Sequence, residues 1–305
     1  MEGAAAADAI AAAQRSTTSR RELARRPSFE EVSPTVGELD EGAFDNAMAE
    51  DADEALALLA DMTRATDADL RRLARQLAAR LVLDVARRGP SRRRGVGRIE
   101  TAPYDASAGD LDLDASTDAI VESRAARAAV DPERLRIRRW VQPRTAVCLL
   151  VDRSGSMGGA PLATSAVTAA AVALRALDDF SVVSFAKESV VVKAQDVAVP
   201  PELVVDGVLA LRGHGTTDLA GALQVARRQL ERSTAGRKVT ILLSDCRATE
   251  AGDVVSAAAA LEELAIIAPE DDSDDAAALA HAVGAALTTV AGPTTAADAL
   301  ARVLF

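Results

Sequence analysis

The run LLVDRSGSMGG places three short oxygen-bearing side chains, Asp152, Ser154 and Ser156, at alternate positions directly after an apolar stretch. Alternation sends them to one side of an extended chain. Gly155, Gly158 and Gly159 permit the sharp turn that lets them converge on one point. Residues of this kind serve three chemistries: a serine nucleophile, a phosphate cradle or a hard metal ion.

Two further loops share the character of the first. GHGTTDL carries Thr216, Thr217 and Asp218 just ahead of a helical pattern, and LLSDCRAT places Asp245 at the end of the apolar run VTILL. In an open α/β sheet, ligands bind outside the carboxyl ends of the strands, where all three loops fall. If the two long apolar strands are neighbours, Asp152 and Asp245 share one edge at about the spacing of adjacent strands, roughly 5 Å. Facing carboxylates repel unless a cation lies between them. Of the basic residues in these loops only Arg153 is an obvious partner, and alternation points it away. Carboxylates and hydroxyls without histidine or thiolate are hard donors, which favour Mg2+, with Mn2+ or Ca2+ as alternatives, over zinc or copper.

DRSGSM followed by GHGTTDL and LLSD resembles the metal-ion-dependent adhesion site of a von Willebrand factor type A (VWA) domain. By that resemblance Asp152, Ser154 and Ser156 match the DxSxS motif, Thr217 the isolated threonine with Thr216 as the alternative, and Asp245 the distal aspartate. The resemblance implies a site that grips a glutamate or aspartate of a partner protein and performs no catalysis. One departure stands out: Cys246 occupies the position after the distal aspartate where the family usually has glycine. If that position holds φ > 0, a cysteine strains the turn.

Rival chemistries lack their parts. A serine nucleophile needs a base, the only histidines are His214 and His281, and DRSGSM is not a G-x-S-x-G elbow. SFAK (Ser184 to Lys187) has the S-x-x-K spacing but reads as a strand, and no G-x-x-x-x-G-K-[ST] loop occurs. A Mg2+-dependent phosphohydrolase using the same carboxylates is the alternative that remains.

The elements that position these loops are legible in the pattern. TAVCLLVD and KVTILLSD are continuous apolar strands, and Pro161 to Leu177 reads as an alanine-rich helix. FSVVSFA and SVVVKAQ pair as a hairpin around Lys187 and Glu188. Helices follow near Pro201 to Ala210, Leu219 to Ser233 and Asp253 to Leu264. LAIIAP, a helix from Asp275, LTTVAG and TTAADALARVLF complete the series. Strands alternating with helices predict an α/β fold with a doubly wound, mostly parallel, Rossmann-like sheet over residues 144–305. PEDDSDD (Pro269 to Asp275) falls on the same sheet edge as the site, as a solvated loop or a tuning charge.

Upstream, residues 1–45 read as a flexible tail, in which RRPSF sets Ser28 after two arginines at a spacing that suits a basophilic kinase. Residues 46–90 form a helical region with the stripe Leu70, Leu73, Leu77, Leu81 and Val85, broken by TRATDADL, with Thr66 or Asp67 capping the second helix. Residues 91–143 combine a basic linker with short strands, including GDLDLDAST as an exposed edge strand. That segment is no calcium loop, because its sixth and twelfth positions are Ala115 and Val121.

A net charge of −11 argues against nucleic-acid binding. Two cysteines give no disulfide framework, and no apolar run is long enough to insert in a membrane. The expected compartment is cytoplasmic. A VWA domain behind a helical, arginine-rich region resembles the CoxE-like proteins and the D subunits of magnesium chelatases. That resemblance implies a MoxR-type or chelatase-type AAA+ ATPase as partner, in client remodelling or metal insertion.

Overall fold

The computed structural model describes residues 1–88, 98–105, 109–141, 144–153, 159–175, 179–211 and 215–304. The chain divides into one unit of Met1–Arg92 with Thr145–Phe305 and another of Arg93–Arg144.

Where a tail was expected, three short helices occur: α1 (Ala4–Ala13), α2 (Arg20–Leu23) and α3 (Phe29–Val32). They are followed by α4 (Glu41–Glu50), α5 (Ala52–Met62) and α6 (Ala68–Arg88). Leu23, Phe29, Val32 and Phe44 are buried in the main core. These few large apolar groups are spaced without helical or strand period, so no pattern marks the segment in sequence. Local hydrogen bonds set the helix starts: Ser19 and Glu22 form a capping box on α2, and Asp40 and Asp51 cap α4 and α5. Asp67, rather than Thr66, accepts the Asp69 and Leu70 N–H groups at the start of α6. The α6 stripe packs within the same unit on helices that flank its six-stranded sheet, with Leu70, Ala74, Leu77, Ala78 and Val85 buried and Leu73 only partly so.

The second unit holds β1 (Arg98–Pro103), β2 (Asp110–Leu111), α7 (Leu113–Ala125) and β3 (Arg136–Val141) in the strand order β1-β3-β2. The expected edge strand shrinks to two residues because Asp112 turns the chain into α7. Its carboxylate accepts from Ala115 N and Thr101 Oγ1 and pairs with Arg138.

The first unit is built on six strands: β4 (Thr145–Asp152), β5 (Phe180–Phe185), β6 (Ser189–Lys193), β7 (Arg237–Leu243), β8 (Glu263–Pro269) and β9 (Ala286–Val290). Their order is β6-β5-β4-β7-β8-β9, all parallel except the β5–β6 hairpin. The helices are α8 (Ala160–Arg175), α9 (Pro201–Ala210), α10 (Leu219–Leu230), α11 (Val254–Ala259), α12 (Asp274–Val283) and α13 (Ala296–Leu304). The mixed α/β, mainly parallel sheet expected from sequence is therefore present. The helix expected to reach Leu264 stops at Ala259, because Leu264 pairs with Thr240 in the β7–β8 ladder.

Alternation along β4 feeds two cores. Val147, Leu149 and Val151 join α8, α5, α6 and α13, whereas Ala146, Cys148 and Leu150 join α10, α11 and α12. Coverage on both faces is why the strand reads as an unbroken apolar run. Leu162 to Ala173 of α8 are all buried, since α5 and α6 cover the side turned away from the sheet. Alanine suits that sandwiched position, and the hydroxyls of Thr164, Ser165 and Thr168 are satisfied by carbonyls one turn earlier. Burial pushes the Cys148 thiol up to about 12, and both cysteines are free. Among the described residues no helix is long and apolar enough to cross a membrane.

Candidate metal centre

The last parallel pair between β4 and β7 is Val151 with Leu243, so Asp152 and Ser244 come next, at the carboxyl edge. Both continue the parity of Cys148, Leu150 and Leu242, which face the α10 layer. Asp152 is 7% exposed, and its Oδ2 accepts a 2.5 Å hydrogen bond from Ser244 Oγ. Ser244 Oγ in turn accepts from Cys246 N at 2.8 Å. Ser244 thus orients the carboxylate, a role the sequence did not reveal because it depends on strand register. Arg153 turns to the hairpin, where its Nη2 donates to Glu188 O. Burial lowers its pKa.

The second loop enters α10. Asp218 caps that helix through Gly221 N, and its own N–H donates to Ala186 O. Thr217 is buried, whereas Thr216 is exposed and donates to Glu250 Oε1. Thr217 N donates to Thr249 Oγ1 at 2.7 Å, and Thr217 O accepts from Thr249 N and Glu250 N, each at 3.1 Å. Four hydrogen bonds therefore strap the threonine loop to the loop after β7. Thr249 and Glu250 were not foreseen.

The third loop carries Asp245, half-buried, with Oδ1 accepting from Arg247 N. Arg247 sends its guanidinium to Asp272 and Asp275, so two acids of PEDDSDD are ion-paired. Cys246 has φ 66, the left-handed region that glycine adopts without strain. Its thiol, directed at Ser244 O, is pushed up to about 12, first by burial and then by Asp245, Asp152 and Asp275. It stays protonated at neutral pH.

The strained backbone yields a mutational expectation. Cys246→Gly relieves about 1 kcal/mol of left-handed strain and forfeits a similar amount of thiol burial, so it is expected to be near neutral. Cys246→Val puts a β-branched residue at positive φ and is expected to cost about 2 kcal/mol. Urea unfolding of both variants checks this, and a valine variant as stable as the native chain contradicts it.

Ser154, Ser156, Gly155, Gly158 and His214 lie outside the described residues. The donors that are described, Asp152, Thr217 and Asp245, come from the three loops at the carboxyl edge. No hydrogen bond from the Thr217 hydroxyl is made among the described residues. Carboxylate and hydroxyl oxygens beside a protonated thiol suit a hard divalent cation and not a thiolate-bound metal. Among the described residues no group of three or more His, Cys, Asp or Glu is placed to hold a metal ion.

Residues 147–248 match the family model of the von Willebrand factor type A domain. That VWA match runs from β4 to just past Arg247, and so spans all three loops. Solved structures similar to the chain include a von Willebrand factor type A protein from Catenulispora acidiphila, 18% identical with a TM-score of 0.43. Others are the manganese-loaded TRAP protein of Plasmodium vivax, 16% identical with a TM-score of 0.41, and proximal thread matrix protein 1 from the mussel byssus, 14% and 0.42. These similarities cover 54%, 52% and 53% of this chain, and 43%, 72% and 47% of the respective structures. The chain thus spans less than half the length of the first and third. None of the curated proteins compared matches the chain.

Proposed function

We propose that the chain is a metal-dependent protein-binding adaptor whose VWA segment captures an acidic residue of a partner. Support comes from the convergence of Asp152, held by Ser244, with the Thr217 and Asp245 loops at one strand edge. Asp152, Ser154, Ser156 and Thr217 would hold Mg2+, with Asp245 behind them. The ion would supply residual positive charge for a partner carboxylate. Ser244 fixes one oxygen of Asp152, and the Thr217–Thr249 bridge fixes the distance between two donor loops. These supports lower the cost of ordering the donors when the site fills. In this reading the chain works in the cytoplasm with an AAA+ ATPase of the MoxR or chelatase type, in client remodelling or metal insertion.

Calorimetric titration of Mg2+ and Mn2+ into the purified chain tests the core of the reading. Saturable binding of one ion, displaced by EDTA, is expected. Co-purification of an ATPase from native lysate is expected with Mg2+ and not with EDTA. No saturable binding at millimolar metal sinks the reading, and Mg2+-dependent hydrolysis of phosphate esters by the chain alone replaces it with the phosphohydrolase.

A further inference from the structure

The helices that precede the VWA segment reach the far end of its first loop. Gly159 N donates to Asp61 Oδ1 at 2.9 Å, and Asp61 lies in the last turn of α5. The other oxygen, Asp61 Oδ2, accepts from Arg26 Nε at 3.0 Å and Nη2 at 2.8 Å. Arg26 Nη1 also reaches Glu54 Oε1 at 3.3 Å. Gly159 has φ +57, and a Cβ built there would stand 1.8 Å from Arg26 Nη2. Only glycine therefore lets the guanidinium lie across this backbone. Gly159 O accepts from Ala163 N, so the anchored residue is also the one that opens α8. In sequence it closes the stretch that begins at Asp152.

Two observations make this more than a surface ion pair. The side chains of Arg26 and Asp61 are 31% and 15% exposed, which shields their bond from solvent. Both residues also come from outside the 147–248 match, so an element foreign to that segment fixes its backbone. Asp61 satisfies an N–H at the start of α8, and its negative charge suits the positive end of that helix. Asp152 closes the strand ladder on one side of the first loop, and Asp61 holds Gly159 on the other.

We propose that Asp61 and Arg26 are positioning residues for the metal centre, coupling docking of helices α2 and α5 to metal binding. The inference rests on the metal reading above. Coupling is reciprocal: if seating Asp61 on Gly159 raises metal affinity, bound metal must strengthen that seating by the same factor.

The test is Mn2+ titration of the full chain by calorimetry, with hydrogen exchange as a second readout. Asp61→Ala is expected to weaken Mn2+ binding about tenfold or more, the scale for groups that orient metal ligands. Asp61→Asn should weaken it less, because its amide oxygen still accepts from Gly159 N. Asp40→Ala removes the α4 cap without touching Gly159 and should leave affinity unchanged, which separates positioning from general loss of stability. Saturating Mn2+ is expected to slow amide exchange in α2 and α5 of the native chain and not in Asp61→Ala. Equal Mn2+ affinity of Asp61→Ala and the native chain overturns the coupling, as does an equal loss in Asp40→Ala. If Asp61→Ala is unfolded by circular dichroism, Asp61→Asn carries the comparison, and native affinity in it overturns the role of the Arg26 pair. Absence of Mn2+ binding by the native chain is a separate result that overturns the metal reading and the coupling with it.

Discussion

Replacing Asp152 by alanine is expected to abolish divalent-metal binding and to leave the metal-free fold no less stable. Asp152 is the described donor at the end of the central strand, and it is 7% exposed. Burying a carboxylate is costly, and hydrogen bonds such as the one from Ser244 offset only part of that cost. Alanine removes the charge, and Ser244 Oγ keeps its bond from Cys246 N. Metal-free stability should therefore hold or rise slightly. The metal contribution behaves oppositely. A ligand present at a hundred times its dissociation constant stabilises the native state by about 2.7 kcal/mol, and the variant loses that increment entirely. Urea unfolding with Mg2+ and with EDTA gives both numbers from one pair of curves per protein. A Mg2+-dependent shift that persists in Asp152→Ala contradicts the assignment. A variant that simply fails to fold in EDTA would mean that Asp152 is structural.

What sequence revealed and what it hid follows from how far apart the interacting residues lie. The apolar runs that became β4 and β7 were readable because both faces of each strand are covered, which imposes composition locally. Asp152 and Asp245 stood out as candidates because each follows an apolar run, and Thr217 because it stands just ahead of a helical pattern. Ser244, within the strand pattern KVTILLSD, carried no signal of its own. Its role needs the β4–β7 register, which sets it beside a residue 92 positions away. The bonds from Thr249 and Glu250 to the threonine loop span 32 to 34 positions and carry no spacing rule. Residues 1–45 were misleading in another way. Their alanines and arginines have the composition of a solvated segment, yet Leu23, Phe29 and Val32 are buried and Arg26 is an ion-pair partner of Asp61. The leucine stripe of α6 announced a missing surface without naming it. That surface includes α8, whose small side chains admit a second helical layer.

Arg64 supplies the sharpest test of that layer, and Arg64→Leu is expected to cost about 3 kcal/mol of unfolding free energy. Arg64 follows α5, inside the TRATDADL interruption, and is 3% exposed. Its Nη1 donates to Ala210 O at 2.9 Å, and its Nη2 to Ala13 O at 2.9 Å and Ser16 O at 2.8 Å. Ala13 and Ala210 are the last residues of α1 and α9, so the guanidinium meets carbonyls at the negative ends of two helices, of which Ala13 O also accepts from Ser16 N. Leucine fills much of the space but donates nothing, and three carbonyls then lose a charge-assisted partner in a place with little water. Arg64→Lys should recover only part of the loss, because one ammonium cannot reproduce a planar fork aimed at three acceptors. The order expected in urea unfolding is native, then lysine, then leucine. α1 should also become the first site of proteolysis in the leucine variant, since Arg64 holds its C-terminal end. A leucine variant within about 0.5 kcal/mol of the native chain, the range of ordinary surface changes, would mean that other bonds hold α1 and α9 in place.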